Sequence, residues 1–94
     1  RLIRLVVRAR KADLVRTTVT RLAAACQNQL PSAEEILGPS ECPLSIIAGN
    51  IRHHVIIRTR RFGRTHEELA ALLPGLSIPS GVHLEIDVDP VSLL

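Results

Sequence analysis

The sequence has 94 residues, the size of one small domain, and its 46% hydrophobic and 22% charged residues describe a globular chain rather than a disordered one. No apolar run approaches the roughly 18 residues of a helical membrane span, and an opening that carries Arg1, Arg4 and Arg8 does not read as a signal peptide. The net charge is +3, and of twelve basic residues only Lys11 is lysine; arginine favours planar, two-pronged contacts to phosphate or carboxylate. Phe62 is the one aromatic residue, which argues against a surface that stacks several bases. A chain that contains no methionine and opens at Arg1 is expected to be a segment of a longer protein.

The first run, Leu2 to Arg8, alternates. Ile3, Leu5 and Val7 share one face and Arg4, Val6 and Arg8 the other, the period of a half-buried strand. From Ala12 to Leu30 the period lengthens: Val15, Val19, Leu22, Cys26 and Leu30 form the stripe of an amphipathic helix. Asp13 lies in its first turn, where the helix dipole favours an acid, and Pro31 closes it. Residues 31–43 read as a loop with a short strand at Ile36-Leu37, punctuated by Gly38-Pro39 and Cys42-Pro43. Leu44 to Ala48 and Ile51 to Thr59 read as strands joined by a Gly49-Asn50 hairpin turn, since both turn residues tolerate positive φ. Residues 60–64 are predicted as a loop, after which Thr65 and Glu68 form a capping box for a short helix with Leu69, Ala70, Leu72 and Leu73 on its apolar side. Pro74-Gly75 stops that helix. In the final run Val82, Leu84, Ile86 and Val88 face one way and His83, Glu85, Asp87 and Asp89 the other, up to Pro90.

The order β-α-β-β-α-β predicts a ferredoxin-like α+β sandwich: a four-stranded, mainly antiparallel sheet with two helices on one face, formed by residues 1–94 as a single domain. In that arrangement the last strand neighbours the first. Its acids are then expected to pair with Arg4 and Arg8 on the open sheet face, at about 0.2–1 kcal/mol per pair. Cys26 and Cys42, in no CxxC spacing, are expected to be reduced, buried thiols.

Several stretches resemble one known family. The ending Glu85-Ile-Asp-Val-Asp-Pro-Val-Ser-Leu-Leu94 closely resembles the C-terminus of the primosomal protein N′ (PriA) replication-restart helicases. The opening Arg1-Leu-Ile-Arg-Leu-Val-Val is similar to the first strand of their last domain, and Ile36-Leu-Gly-Pro39 followed by Pro43-Leu44 is similar to their LGPxxxPI loop. Gly49 and Arg52 stand where that family has an Arg-Gly-Arg-Tyr-Arg hairpin, although Ala48, Asn50 and Ile51 replace its Arg, Arg and Tyr. The resemblance covers nearly the whole chain. It implies the C-terminal domain of a larger bacterial, cytoplasmic, ATP-dependent helicase that unwinds DNA 3′ to 5′ and assembles the primosome at stalled forks. The implied partners are branched or single-stranded DNA, the helicase's other domains, single-stranded DNA-binding protein and primosome proteins, with no membrane. ATP, Mg and Zn are implied for the parent's other domains; here there is no GxxxxGK[ST] loop and no zinc-spaced cysteine set, so no cofactor is expected in this segment.

The segment from Arg52 to Arg64 holds Arg52, Arg58, Arg60, Arg61 and Arg64 and no acid, which makes these five arginines the predicted DNA phosphate contacts. In the resembling family a basic residue near the start of the second helix helps to bind the acidic tail of single-stranded DNA-binding protein, and His66 is the nearest match. His53 and His54, adjacent on a strand, point to opposite faces and cannot share a metal. No nucleophile–base pair is visible, so no catalytic residue is assigned. Leu93, Leu94 and a patch near Val6 and Ile56 are the expected docking surface. The alternative is a free-standing ferredoxin-like module for nucleic acid or a regulatory small molecule. An acylphosphatase-like hydrolase would need an anion-cradling loop after the first strand, where Arg8-Ala-Arg-Lys11 has no glycine.

Overall fold

The computed structural model describes residues 1–94. Its elements are β1 (Leu2–Ala9), α1 (Ala12–Gln29), β2 (Glu35–Ile47), β3 (Asn50–Arg58), α2 (Phe62–Leu72) and β4 (His83–Val88), with a 3₁₀ turn, Leu73–Gly75, after α2. The strands lie in the order β2-β3-β1-β4 and every neighbouring pair is antiparallel. This is the ferredoxin-like α+β arrangement that the alternation of periods predicts. No helix is long and apolar enough to cross a membrane.

The core lies between the sheet and the helix layer. Ile3, Leu5 and Val7 of β1 and Val55 and Ile57 of β3 meet Val15, Val19, Leu22 and Cys26 of α1 and Leu69 and Leu72 of α2, all buried. The helical stripe read from Val15, Val19, Leu22, Cys26 and Leu30 is therefore the buried face of α1 and its end. On β4 Leu84 packs against this core, whereas Ile86 and Val88 stay 47% and 43% exposed at the outer end of an edge strand.

Three local expectations are corrected. First, β2 is one long strand rather than a loop with two short pieces. Its register against β3 slips between Leu37 and Ser40, and again between Glu41 and Ile46. Pro39 and Pro43, which lack the N–H a ladder needs, sit in these slips, as β-bulges allow. Gly38 has φ +105°, and a Cβ there would stand 2.7 Å from the His54 carbonyl oxygen, so the bulge needs glycine. Second, the hairpin turn lies one residue earlier: Ile47 pairs with Asn50, leaving Ala48 (φ 50°) and Gly49 (φ 78°) as the two turn residues. Positive φ at both is what the right-handed twist of a two-residue hairpin demands.

Third, Thr65 does not cap α2. The helix begins at Phe62, absorbing part of the predicted loop, and Thr65 is wholly buried inside it. Its Oγ1 lies 2.7 Å from Thr59 Oγ1 and 2.6 Å from Ser32 Oγ. Ser32 donates in turn to Glu68 from both its hydroxyl and its backbone N–H. A threonine at this spacing imitates a cap in sequence, but a tertiary hydroxyl chain takes the side chain instead.

Candidate nucleic-acid interface

The hydroxyl chain holds the arginine-rich turn in place. Thr59, the residue after β3, is fully buried, and its Oγ1 accepts the Arg61 backbone N–H at 2.9 Å. Its own N–H donates to the Arg1 carbonyl at 3.0 Å, and the Glu34 N–H donates to the Arg58 carbonyl at 2.9 Å. The turn between β3 and α2 is thereby tied to β1 and to the α1–β2 connection.

The predicted arginines divide into two sets. Arg58, Arg60, Arg61 and Arg64 gather at one end of the sheet. Arg52 lies elsewhere: it is buried on the sheet face away from the helices, and its Nη1 donates to the carbonyls of Leu44 and Leu94, 2.7 Å each. The cluster is also less free than its sequence suggests. Arg58 pairs with Glu34 at 3.0 Å and Glu35 at 3.3 Å, Arg60 with Glu34 at 2.8 Å, and Arg64 with Glu68 at 3.6 Å. Three carboxylates, Glu34 and Glu35 at the start of β2 and Glu68 from the same helix as Arg64, thus face four guanidinium groups, leaving about one uncompensated positive charge. Arg61 makes no ion pair, and the Arg60 side chain is 85% exposed. Exposed pairs of this kind are worth about 0–1 kcal/mol, so a phosphate can displace the acids. The Ser32 hydroxyl, and after it the Ser32 N–H and Arg64, hold the Glu68 carboxyl below the usual carboxylate range.

His66 is exposed on α2 and stacks on Phe62, with ring centroids 5.8 Å apart and 28° between planes. The Arg1 guanidinium carbon lies 3.9 Å from the centre of the Phe62 ring. The one aromatic ring is therefore engaged by Arg1 and His66, beside the arginine cluster.

On the sheet face away from the helices the expected ion pairs form: Arg4–Asp87 at 3.3 Å and Arg8–Glu85 at 2.6 Å, with Arg1–Asp89 at 2.7 Å beyond them. That face is not open, however. Arg4, Val6, Cys42, Arg52 and His54 are all buried on it. β4 ends beside Ile3, and Leu94 reaches Arg52, whose strand neighbour is Arg8; residues 90–94 therefore run back along this face. Val6, expected in an exposed patch, is buried; Ile56 is half-buried, while Leu93 and Leu94 remain 37% and 58% exposed. Burial, then the nearby Arg4 and Arg52, lowers the His54 pKa. His53 lies half-buried on the opposite face, as the alternation requires. Both cysteines are free; burial pushes the Cys26 thiol up to about 11 and raises that of Cys42, against the opposing pull of Arg52 and Arg4. No three His, Cys, Asp or Glu side chains converge into a group that could hold a metal ion.

The profile of the primosomal protein N C-terminal domain matches residues 1–91. Over 94 residues the chain is 31% identical to the replication restart protein PriA of Treponema pallidum, covering 100% of this chain and 14% of that protein. Over 83 residues it is 34% identical to the replication restart protein PriA of Synechocystis sp., covering 84% and 9% respectively. The chain therefore spans 9–14% of the length of these two relatives. The solved structure of the de novo designed protein Foldit4 superposes with a TM-score of 0.52 at 16% identity, over 95% of this chain and 97% of that one, a likeness of fold alone.

Proposed function

This chain belongs to the primosomal protein N C-terminal domain family, and from that membership we propose that it is the non-catalytic DNA-binding and docking domain of an ATP-dependent 3′–5′ helicase that restarts stalled replication forks in the cytoplasm. Its partners in that role are branched or single-stranded DNA, the helicase's other domains, single-stranded DNA-binding protein and primosome proteins. The observation that carries the DNA-binding part is the arginine turn. Arg60, Arg61 and Arg64 are exposed, and the backbone beneath them is anchored by buried hydroxyls. Phosphate contact through such a surface positions DNA without reading its sequence. The family resemblance is the ground for proposing ATP, Mg and Zn in other parts of the parent; this chain itself has no GxxxxGK[ST] loop and no zinc-spaced cysteine set. His66, exposed on the second turn of α2 and stacked on Phe62, is the proposed contact for an acidic peptide tail.

The test is fluorescence anisotropy of fork and single-stranded DNA across a salt series. Each phosphate neutralised adds about 0.9 to the slope of log K against log salt for duplex, and about 0.7 for single strands. Reversing Arg60, Arg61 and Arg64 to Glu is expected to flatten that slope by two to three phosphates, about 1.8–2.7 for duplex and about 1.4–2.1 for single strands. Arg52→Gln, which alters a buried carbonyl contact, is expected to leave the slope unchanged. Equal slopes for the parent and the triple reversal would remove the arginine turn from the interface.

A further inference from the structure

Most of the positive charge in this fold is already spoken for. Seven arginines sit in ion pairs, namely Arg1, Arg4, Arg8, Arg16, Arg58, Arg60 and Arg64. Arg21 donates to the Ser77 carbonyl and Arg52 to those of Leu44 and Leu94. Arg10, Lys11 and Arg61 are left with side chains that bond to nothing, and two of these three stand together. Arg10 and Lys11 form the turn between β1 and α1. They lie at the end of the sheet opposite the arginine cluster, since β1 runs from Leu2, opposite Arg58, to Ala9, opposite Ile51. At about 3.4 Å per residue that separates the two ends by roughly 24–27 Å.

A cleft of about 340 Å³ opens at this turn, lined by Arg10, Lys11, Asn50, Ser80, Gly81 and His83. Three separate parts of the chain build it: the β1–α1 turn, the start of β3 and the approach to β4. No acid lines it, and the nearest in sequence, Asp13, is held by Arg16 at 3.1 Å. Arg10 lies close over the hairpin turn; a Cβ on Gly49 would stand 3.2 Å from its Nη1. The lining therefore offers a guanidinium, an ammonium, an imidazole, a hydroxyl and an amide, the donor set of an oxyanion site. An anion entering here breaks no ion pair. At Arg58, Arg60 and Arg64 it must first displace a carboxylate.

We propose that this cleft binds a phosphate group, free or carried in a nucleic-acid backbone. The proposal stands on the cleft's own lining and does not depend on the role given to Arg60, Arg61 and Arg64.

The experiment is ¹⁵N chemical-shift mapping of this chain, titrated with inorganic phosphate against chloride at matched ionic strength, and then with a tetrathymidylate that has no terminal phosphate. Saturable shifts are expected at Arg10, Lys11, Ser80, Gly81 and His83. The Arg10→Gln, Lys11→Gln double variant, whose replaced side chains make no hydrogen bond, should weaken phosphate binding about tenfold or more while retaining the parent spectrum elsewhere. Arg60→Gln with Arg61→Gln should leave phosphate affinity at the cleft within about twofold. Saturation of the same amides by the oligonucleotide assigns the backbone as a source; saturation by inorganic phosphate alone assigns the free ion. Shifts that never saturate, that spread over every arginine alike, or that survive the double variant would overturn the proposal. A chain that binds DNA through Arg60 and Arg61 but shows no saturable phosphate shift at the cleft would overturn it too, leaving the arginine turn's role intact.

Discussion

Replacing Thr65 by valine tests the joint on which the arginine turn rests. Valine matches threonine closely in shape but puts a methyl where the hydroxyl stands, so the hydrogen bonds are lost and the two oxygens beside it must ease back to van der Waals distance. In the parent that hydroxyl is wholly buried and lies 2.7 Å from Thr59 Oγ1 and 2.6 Å from Ser32 Oγ. Neither partner is stripped bare by the change: Ser32 still reaches Glu68, and Thr59 still accepts the Arg61 N–H. The expected loss is therefore in the middle of the range for a broken buried hydrogen bond, about 2 kcal/mol. For a domain of this size that is a fall in Tm of roughly 8–16 °C. Urea unfolding should show a lower midpoint at unchanged slope. Thr65→Ser, which keeps the hydroxyl and loses a methyl, should cost about 1 kcal/mol. Thr65→Asp separates the two possible roles of this residue. At an exposed helix cap aspartate would serve as well as threonine; buried one hydroxyl away from Glu68, it should be more damaging than valine. A valine variant within about 0.5 kcal/mol of the parent, or an aspartate variant matching it, refutes the hydroxyl-chain account.

Four further outcomes follow from the same structure. Glu68, through the Ser32 hydroxyl, and Asp89, through the Leu2 N–H and then Arg1, have lowered folded pKa values. The stability they add is complete above their unfolded values near pH 4 and is lost as pH falls through the lower folded ones, so unfolding midpoints should drop on that acid side and Ser32→Ala should shrink the drop. His54 has the same sign in a higher window: burial disfavours its protonated form, stability is full above about pH 6.5 and declines as pH falls toward the folded pKa, and His54→Gln should flatten this arm. Neither thiol should react with a disulfide reagent at neutral pH until urea unfolds the chain, since Cys26 titrates near 11 and Cys42 is also raised; rapid labelling of the native protein would contradict their burial. Ala48 occupies φ 50°, so Ala48→Asn should raise stability by about 1 kcal/mol in the same urea assay, and no gain would show that the turn carries no strain.

What could be read from the residues alone was whatever depends on neighbours within a turn or two. Alternation along Leu2–Arg8 and the stripe from Val15 to Leu30 identify a strand and a helix because burial repeats every two residues in one and every three or four in the other. The order of such segments carries the fold class, and the fold class puts the last strand beside the first, which is why the pairing of Arg4 and Arg8 with Asp87 and Glu85 could be expected. Departures begin where a side chain's partner is remote. Thr65 and Glu68 carry the spacing of a cap, yet Thr59 and Ser32, which claim them, sit 6 and 33 residues from Thr65. The run from Arg52 to Arg64 holds no acid, yet folding brings Glu34 and Glu35 onto Arg58 and Arg60 and buries Arg52 six residues away along the same strand face. Charge along a sequence is a local count. The charge that a surface presents depends on which segments meet there, and only the tertiary structure decides that, because ion pairs and buried hydroxyls form between groups that the backbone must first carry together.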